Sequence, residues 1–164
     1  MLVKDTMIVI HLAKLTLLAK SCEHFKPVLI PDEVSKELRA GRQRGYEDAI
    51  VAEDLIKAGK LRVKRVHDKA LLKKAEEFNV HGGEAEALAL YWQEGADYLA
   101  TDDDNVRKKA VLLSLKVIGT PAMILTLFKA KVISKEKFIE STQGLRKIGW
   151  FSSAVIDTML REIL

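Results

Sequence analysis

The chain has 164 residues, 48% of them hydrophobic and 30% charged, with a formal net charge of +4 and a sequence pI near 9.1. These values fit one ordinary globular domain spanning residues 1–164, and they exclude disorder and low-complexity architectures. The mild basic excess is compatible with a polyanionic partner but does not demonstrate one.

The single Cys22 excludes an intramolecular disulfide and a cysteine-rich zinc site, so a reducing, cytoplasmic setting is expected. The apolar stretch Met7–Leu18 is interrupted by His11 and Lys14. It is also shorter than the roughly 17–25 residues a membrane span needs, so no membrane association is expected.

A short apolar strand over Met1–Lys4 ends at Asp5-Thr6, followed by an apolar, helical segment over Met7–Lys20, where Ile8-Val9-Ile10 leaves a strand open. Pro27–Ile30 reads as a buried strand, and Pro31-Asp32 starts a helix with Asp32 as its N-cap. A polar loop around Gly41 and Gly45 leads to a helix over Glu47–Ala58, which Gly59 ends. Leu61–Val66 alternates apolar and basic residues as a half-exposed strand does. Helices then cover Asp68–Phe78 and Glu84–Glu94, the second introduced by Gly82-Gly83. Tyr98–Thr101 is a strand, Asp103–Ser114 a helix, Val117-Ile118 a strand and Pro121–Lys129 a helix. Helices near Lys135–Arg146 and Ser153–Ile163 complete a C-terminal helical extension, residues 134–164. Alternating strands and helices imply an α/β fold, three layers in the order α/β/α around a central parallel sheet. Sites in such sheets gather at the carboxyl ends of the strands.

Asp5 and Asp102 each follow a predicted strand, so parallel pairing places both carboxylates at one sheet edge. Either alone reads more simply as an Asx turn or a helix cap. At 100° per residue, Glu84 shares a helix face with Leu88, Tyr91 and Trp92, while Glu86 lies on the opposite side with Gln93. A carboxylate above an apolar face calls for a metal or a basic partner, and helix-dipole complementation is the blander alternative. Glu37 flanks the Val34/Leu38 stripe at the border between core and solvent, where a solvated role is the simpler reading. Four converging carboxylates would repel one another, and hard divalent ions relieve that repulsion. Mg²⁺ or Mn²⁺ is expected rather than zinc, because His11, His24, His67 and His81 are scattered and none looks like a ligand.

Four segments carry a resemblance: Val3-Lys4-Asp5-Thr6, Ile30-Pro31-Asp32-Glu33-Val34 leading to Glu37, Gly82-Gly83-Glu84-Ala85-Glu86-Ala87, and Leu99-Ala100-Thr101-Asp102-Asp103-Asp104-Asn105-Val106-Arg107. In this order and spacing the chain resembles the PIN-domain family over essentially its whole length. The Gly-Glu-x-Glu-Ala version and Leu145–Ser152 are similar to an uncharacterised prokaryotic subgroup. The resemblance implies acidic metal ligands at Asp5, Glu37, Glu84 and Asp102. Glu84 stands where many members carry Asp, and the fourth acid is Asp102 or Asp103, with Arg107 favouring Asp102. Asp104 then belongs to the first turn of the next helix.

It further implies a metal-dependent ribonuclease, with Asp5, Glu84 and Asp102 holding metal, Glu37 serving a second metal or an outer-shell water, and Thr6 and Thr101 orienting these groups. An RNA substrate could meet Arg39, Arg42, Arg44, Arg107, Lys108 and Lys109, although solvated surface charge describes them equally well. Trp92 and Tyr91 read as core. Prokaryotic members resemble toxins of toxin–antitoxin pairs, which implies a homodimer and a small antitoxin protein. The rivals are an RNA-processing nuclease and a catalytically idle binding module. A phosphatase with Asp-x-Asp after the first strand is excluded, since Met7 takes the second position.

Overall fold

The computed structural model describes residues 1–164. Five strands, β1 (Leu2–Lys4), β2 (Val28–Pro31), β3 (Arg62–Lys64), β4 (Tyr98–Ala100) and β5 (Val117–Ile118), form one all-parallel sheet in the order β3-β2-β1-β4-β5. Ten helices surround it: α1 (Thr6–Lys14), α2 (Leu18–His24), α3 (Asp32–Gln43), α4 (Glu47–Lys57), α5 (Lys69–Glu77), α6 (Gly82–Glu94), α7 (Asp104–Lys109), α8 (Thr120–Lys129), α9 (Lys135–Ile148) and α10 (Ser153–Arg161). The three-layer α/β/α expectation therefore holds. No helix is long and apolar enough to cross a membrane.

Strand alternation divides the core in two. Leu2, Val28, Ile30 and Ala100 point into a cluster completed by α1, α2, α8 and the C-terminal helices. Val3, Leu29 and Leu99 point the other way, onto Ala85, Leu88 and Tyr91 of α6 and Val106 of α7. Phe138 and Leu145 of α9 and Ile156 and Met159 of α10 are buried in the first cluster, so the C-terminal helices complete the core of the domain. Phe138 stacks on Phe128 of α8 with centroids 4.5 Å apart.

Three elements differ from the sequence expectation. The single helix over Met7–Lys20 is broken into α1 and α2, with Thr16 in the left-handed region at φ 57°. Leu15, Leu17 and Leu18 are all buried around the break, at the end of α1 and the start of α2. Asp32 is the first helical residue and not the cap of α3. The N-cap is Pro31, which offers no side-chain bond, and Glu86 of α6 instead accepts from the Glu33 N–H at 2.9 Å. The helix expected over Asp103–Ser114 ends at Lys109. The chain then turns to return beside β4, where the Lys116 carbonyl accepts from the Leu99 N–H. That turn leaves Val111 and Leu112 exposed.

Lys4 is fully buried, its Nζ donating to Ser21 Oγ at 2.5 Å with Cys22 Sγ 3.8 Å away. Burial lowers its ammonium from 10.5 to about 8, against the pull of the Cys22 sulfur. Since one pKa unit is worth about 1.4 kcal/mol, carrying the charge at neutral pH costs on the order of 3 kcal/mol. Lys4→Met keeps the length and discards the charge, so urea unfolding at pH 7 should show a protein as stable as wild type or up to ~3 kcal/mol more stable. The folded state gives up this proton more readily than the unfolded one. Wild type should therefore gain stability between about pH 8 and 10.5, and the variant should not.

Candidate metal centre

The strand order reverses direction at β1 and β4: the chain moves from β1 outward to β2 and β3, then returns to place β4 on the other side. This is the switch point at which α/β sheets open a crevice beyond their carboxyl ends. β1 and β4 pair with Lys4 opposite Ala100, and the Asp5 N–H donates to the Ala100 carbonyl at 3.1 Å. Asp5 thus stands beside Thr101, with Asp102 one residue further on.

Asp5 is the N-cap of α1, and its Oδ1 accepts from the Ile8 N–H at 3.0 Å. Its other oxygen, Oδ2, is buried with no hydrogen-bond partner. Burial raises the Asp5 carboxyl from 3.8 to about 7, opposed by the nearby Thr101 hydroxyl and the Ile8 N–H and reinforced by the negative charges of Asp102 and Glu84.

Asp102 is also buried but well supplied with donors. Thr120, at the start of α8, gives its N–H to Oδ1 at 2.8 Å and its hydroxyl to Oδ2 at 2.5 Å. His11 of α1 brings Nδ1 to 2.7 Å from Oδ2. A carboxylate only accepts, so Nδ1 carries the proton of this contact. Asp103, the other candidate for the fourth acid, is the N-cap of α7 and accepts from the Val106 N–H at 2.8 Å. Thr101 is buried and accepts from the Asp103 N–H at 3.0 Å. Asp104 lies exposed in the first turn of α7.

Glu84 sits in the first turn of α6, half-buried, and forms no hydrogen bond or ion pair with the protein. Gly82, at φ +60°, turns the chain into that helix. Glu37 reaches over from α3, and Thr6 donates its hydroxyl to Glu37 Oε2. Partial burial raises the Glu37 carboxyl, with Thr6 opposing and Glu84, Glu33 and Glu86 repelling. Gly83 makes room for it: a Cβ there would stand 3.0 Å from Glu37 Oε1 and 3.3 Å from Oε2. In Gly83→Ala the better helix propensity offsets crowding, so stability should stay within about 1 kcal/mol. The displaced Glu37 should lower metal-dependent activity on the order of tenfold, as disturbed outer-shell partners do, measured by initial rates on the folded variant.

The four carboxylates form a chain of mutual repulsion, Asp102 to Asp5 to Glu84 to Glu37. None pairs with Lys or Arg, and His11 is the single basic partner among them. Each keeps an unused acceptor: Asp5 Oδ2, one lone pair of Asp102 Oδ1, Glu37 Oε1 and both oxygens of Glu84. All-oxygen donors, surplus negative charge and a buried orphan oxygen fit a hard divalent cation. No three of these side chains meet closely enough to grip one ion as they stand, so binding requires them to draw inward.

A family model described as a PIN domain matches residues 1–163. The chain belongs to the PIN-domain family. No curated protein and no solved structure matches it significantly. PIN domains are generally nucleases that use divalent metals, in keeping with the donor set of this one.

Two of the residues that build this PIN domain's site escape sequence reasoning. His11 counts among the scattered histidines along the chain, yet it is buried against Asp102. The available signal is its place three residues after Ile8 and one before Leu12, on the buried stripe of α1. Thr120 follows a third strand end, in Gly119-Thr120-Pro121. Among the basic candidates, Arg39 and Arg42 pair with Glu53, and Lys109 donates to the Phe78 carbonyl. Arg44, Arg107 and Lys108 are exposed and have no acidic partner.

Proposed function

We propose that this PIN domain is a Mg²⁺- or Mn²⁺-dependent endoribonuclease acting at the Asp5–Glu37–Glu84–Asp102 site. The observation that carries this reading is Asp5 Oδ2, a buried carboxylate oxygen without a partner, set within a run of acids that no Lys or Arg neutralises. A bound divalent ion supplies charge neutralisation at the scissile phosphate and lowers the pKa of an attacking water. The protein's own residues do the rest. Asp5, Glu84 and Asp102 hold the ion, and Glu37 serves a second ion or an outer-shell water. Thr6 orients Glu37, and His11 with Thr120 orients Asp102. Thr101 supports the ionised form of Asp5.

The expected products are a 5′-phosphate and a 3′-hydroxyl. The purified protein, incubated with a mixed RNA pool in Mn²⁺ and in EDTA and followed by sequencing of the cut ends, tests the reading. Cleavage only in Mn²⁺ is the expected result; absence of both divalent-metal binding and cleavage sinks it.

In the cell we propose a cytoplasmic toxin that acts as a homodimer and is silenced by a small antitoxin protein. Growth arrest upon expression, relieved by co-expressing a small neighbouring protein, is the expected outcome; expression without effect on growth favours an RNA-processing enzyme.

A further inference from the structure

Trp150 is 53% exposed, yet its indole is held in place. Its Nε1–H donates to the Asp102 backbone carbonyl at 3.2 Å, and its ring lies 5.8 Å from His11. Gly149, at φ +75°, ends α9 immediately before it, so the indole stands at a fixed corner of the chain. A large aromatic face kept in solvent beside an acidic site is not explained by packing.

Two cavities meet at this residue. One, of about 680 Å³, lies between α1 and α9 and is lined by His11, Lys14, Ser141, Gln143 and Lys147 as well as Trp150. Ser141 is 1% exposed, and its hydroxyl has no hydrogen-bond partner. The other, of about 450 Å³, is lined by Asp102, Arg107, Gly119 and Phe151 together with Trp150. Arg107 Nη1 and Asp102 Oδ1 both crowd Gly119, where a Cβ would stand 2.5 Å and 3.0 Å from them. That glycine leaves room for both side chains at the cavity wall.

Two cations beside Trp150 are free to meet phosphates. Arg107 and Lys147 are exposed without acidic partners, one in each cavity. Glu140, in the first cavity, is engaged by Lys137 at 3.5 Å; in the second, Asp102 is bonded to His11 and Thr120, and Asp104 lies opposite Arg107. Unpaired cations flanking a rigid aromatic face are what single-stranded nucleic acid binding uses: bases stack on the ring, and phosphates meet the cations. A base inside a duplex is already stacked on both faces and cannot use such a platform.

We infer that Trp150 is a stacking platform for an unpaired base of single-stranded RNA, with Arg107 and Lys147 receiving the phosphates on either side. This deepens the nuclease reading and rests on it for the identity of the nucleic acid. The platform makes the enzyme selective for unpaired segments, because it holds the strand through the residue bonded to Asp102. Trp150 is a substrate-positioning residue and Ser141 supplies an unused donor for the stacked base.

The test uses the full-length protein in EDTA, with fluorescein-labelled single-stranded and hairpin RNA oligonucleotides followed by anisotropy and by quenching of tryptophan fluorescence. Wild type should bind the single strand more tightly than the hairpin, with quenching. Trp150→Leu should weaken single-strand binding roughly 5- to 150-fold, the range for loss of one base–aromatic stack, and Trp150→Phe should stay within about threefold of wild type. Thermal melting of each variant separates folding from binding.

Leu binding as well as Phe, Phe as weak as Leu, or no RNA binding by wild type each overturns the platform. If Mn²⁺-dependent, Asp5-dependent cleavage persists with an unchanged KM in Trp150→Leu, the platform fails and the nuclease reading stands. Trp150-dependent binding without any cleavage gives the opposite outcome: the platform stands and the nuclease reading fails.

Discussion

Asp5→Asn should abolish metal-dependent RNA cleavage while leaving the protein folded and, above neutral pH, more stable than wild type. The amide keeps the volume of Asp5 and an oxygen for the Ile8 N–H, so α1 retains its cap. It removes the charge that would hold a cation. The loss of rate should exceed the roughly 10- to 100-fold expected for an outer-shell partner.

The stability effect follows from linkage. Burial raises the Asp5 carboxyl to about 7, above its unfolded value near 3.8, so the folded state holds the proton more tightly. Wild-type stability without metal should fall as pH rises from about 4 through about 7, where the contribution of Asp5 is fully lost. A shift of this size corresponds to at most ~4 kcal/mol, and Glu37, shifted in the same direction, adds to the trend. Urea unfolding in EDTA at pH 5 and pH 8, on both proteins, reads this directly. A wild type that is no less stable than Asp5→Asn at pH 8 would falsify the account of Asp5 as an uncompensated buried acid.

His11→Leu should lower activity by about 10- to 100-fold, the range typical of outer-shell partners, although His11 carries none of the unused acceptors. Leucine fills the buried site between Trp150 and Phe151 but leaves Asp102 Oδ2 with Thr120 as its single remaining donor. Losing a charge-assisted bond to a buried carboxylate should also cost about 1.5–3 kcal/mol of stability. His11→Gln, whose amide can still donate, should recover part of both losses. Equal activity in His11→Leu and wild type would show that Thr120 alone orients Asp102.

Much of the architecture is legible in the sequence because its signals are local. Five strand segments alternating with helices imply a parallel sheet, and the carboxyl-end rule directs attention to Asp5 and Asp102. The helical wheel distinguishes Glu84 from Glu86, and the two do behave differently. Glu84 is left without a protein partner, whereas Glu86 satisfies the Glu33 N–H at the start of α3. Glu86 therefore has a structural duty across helices that no pattern within α6 could reveal. The break in the first helix is hidden for a related reason. Its hydrophobic run is continuous, with no residue in it that marks the turn at Thr16.

Residue types and the strand ends that carry them are legible along the chain, since period, capping and charge are properties of neighbours. Tertiary packing sets what each acid is bonded to. Asp103 follows Asp102 directly, yet one caps α7 while the other lies buried between His11, 91 residues away in the sequence, and Thr120, 18 residues away. It also decided that Trp150, near the end of the chain, stands over Asp102. Hydrogen bonds act over about 3 Å in space, and their partners here are set by how helices pack across the sheet, which no local pattern encodes.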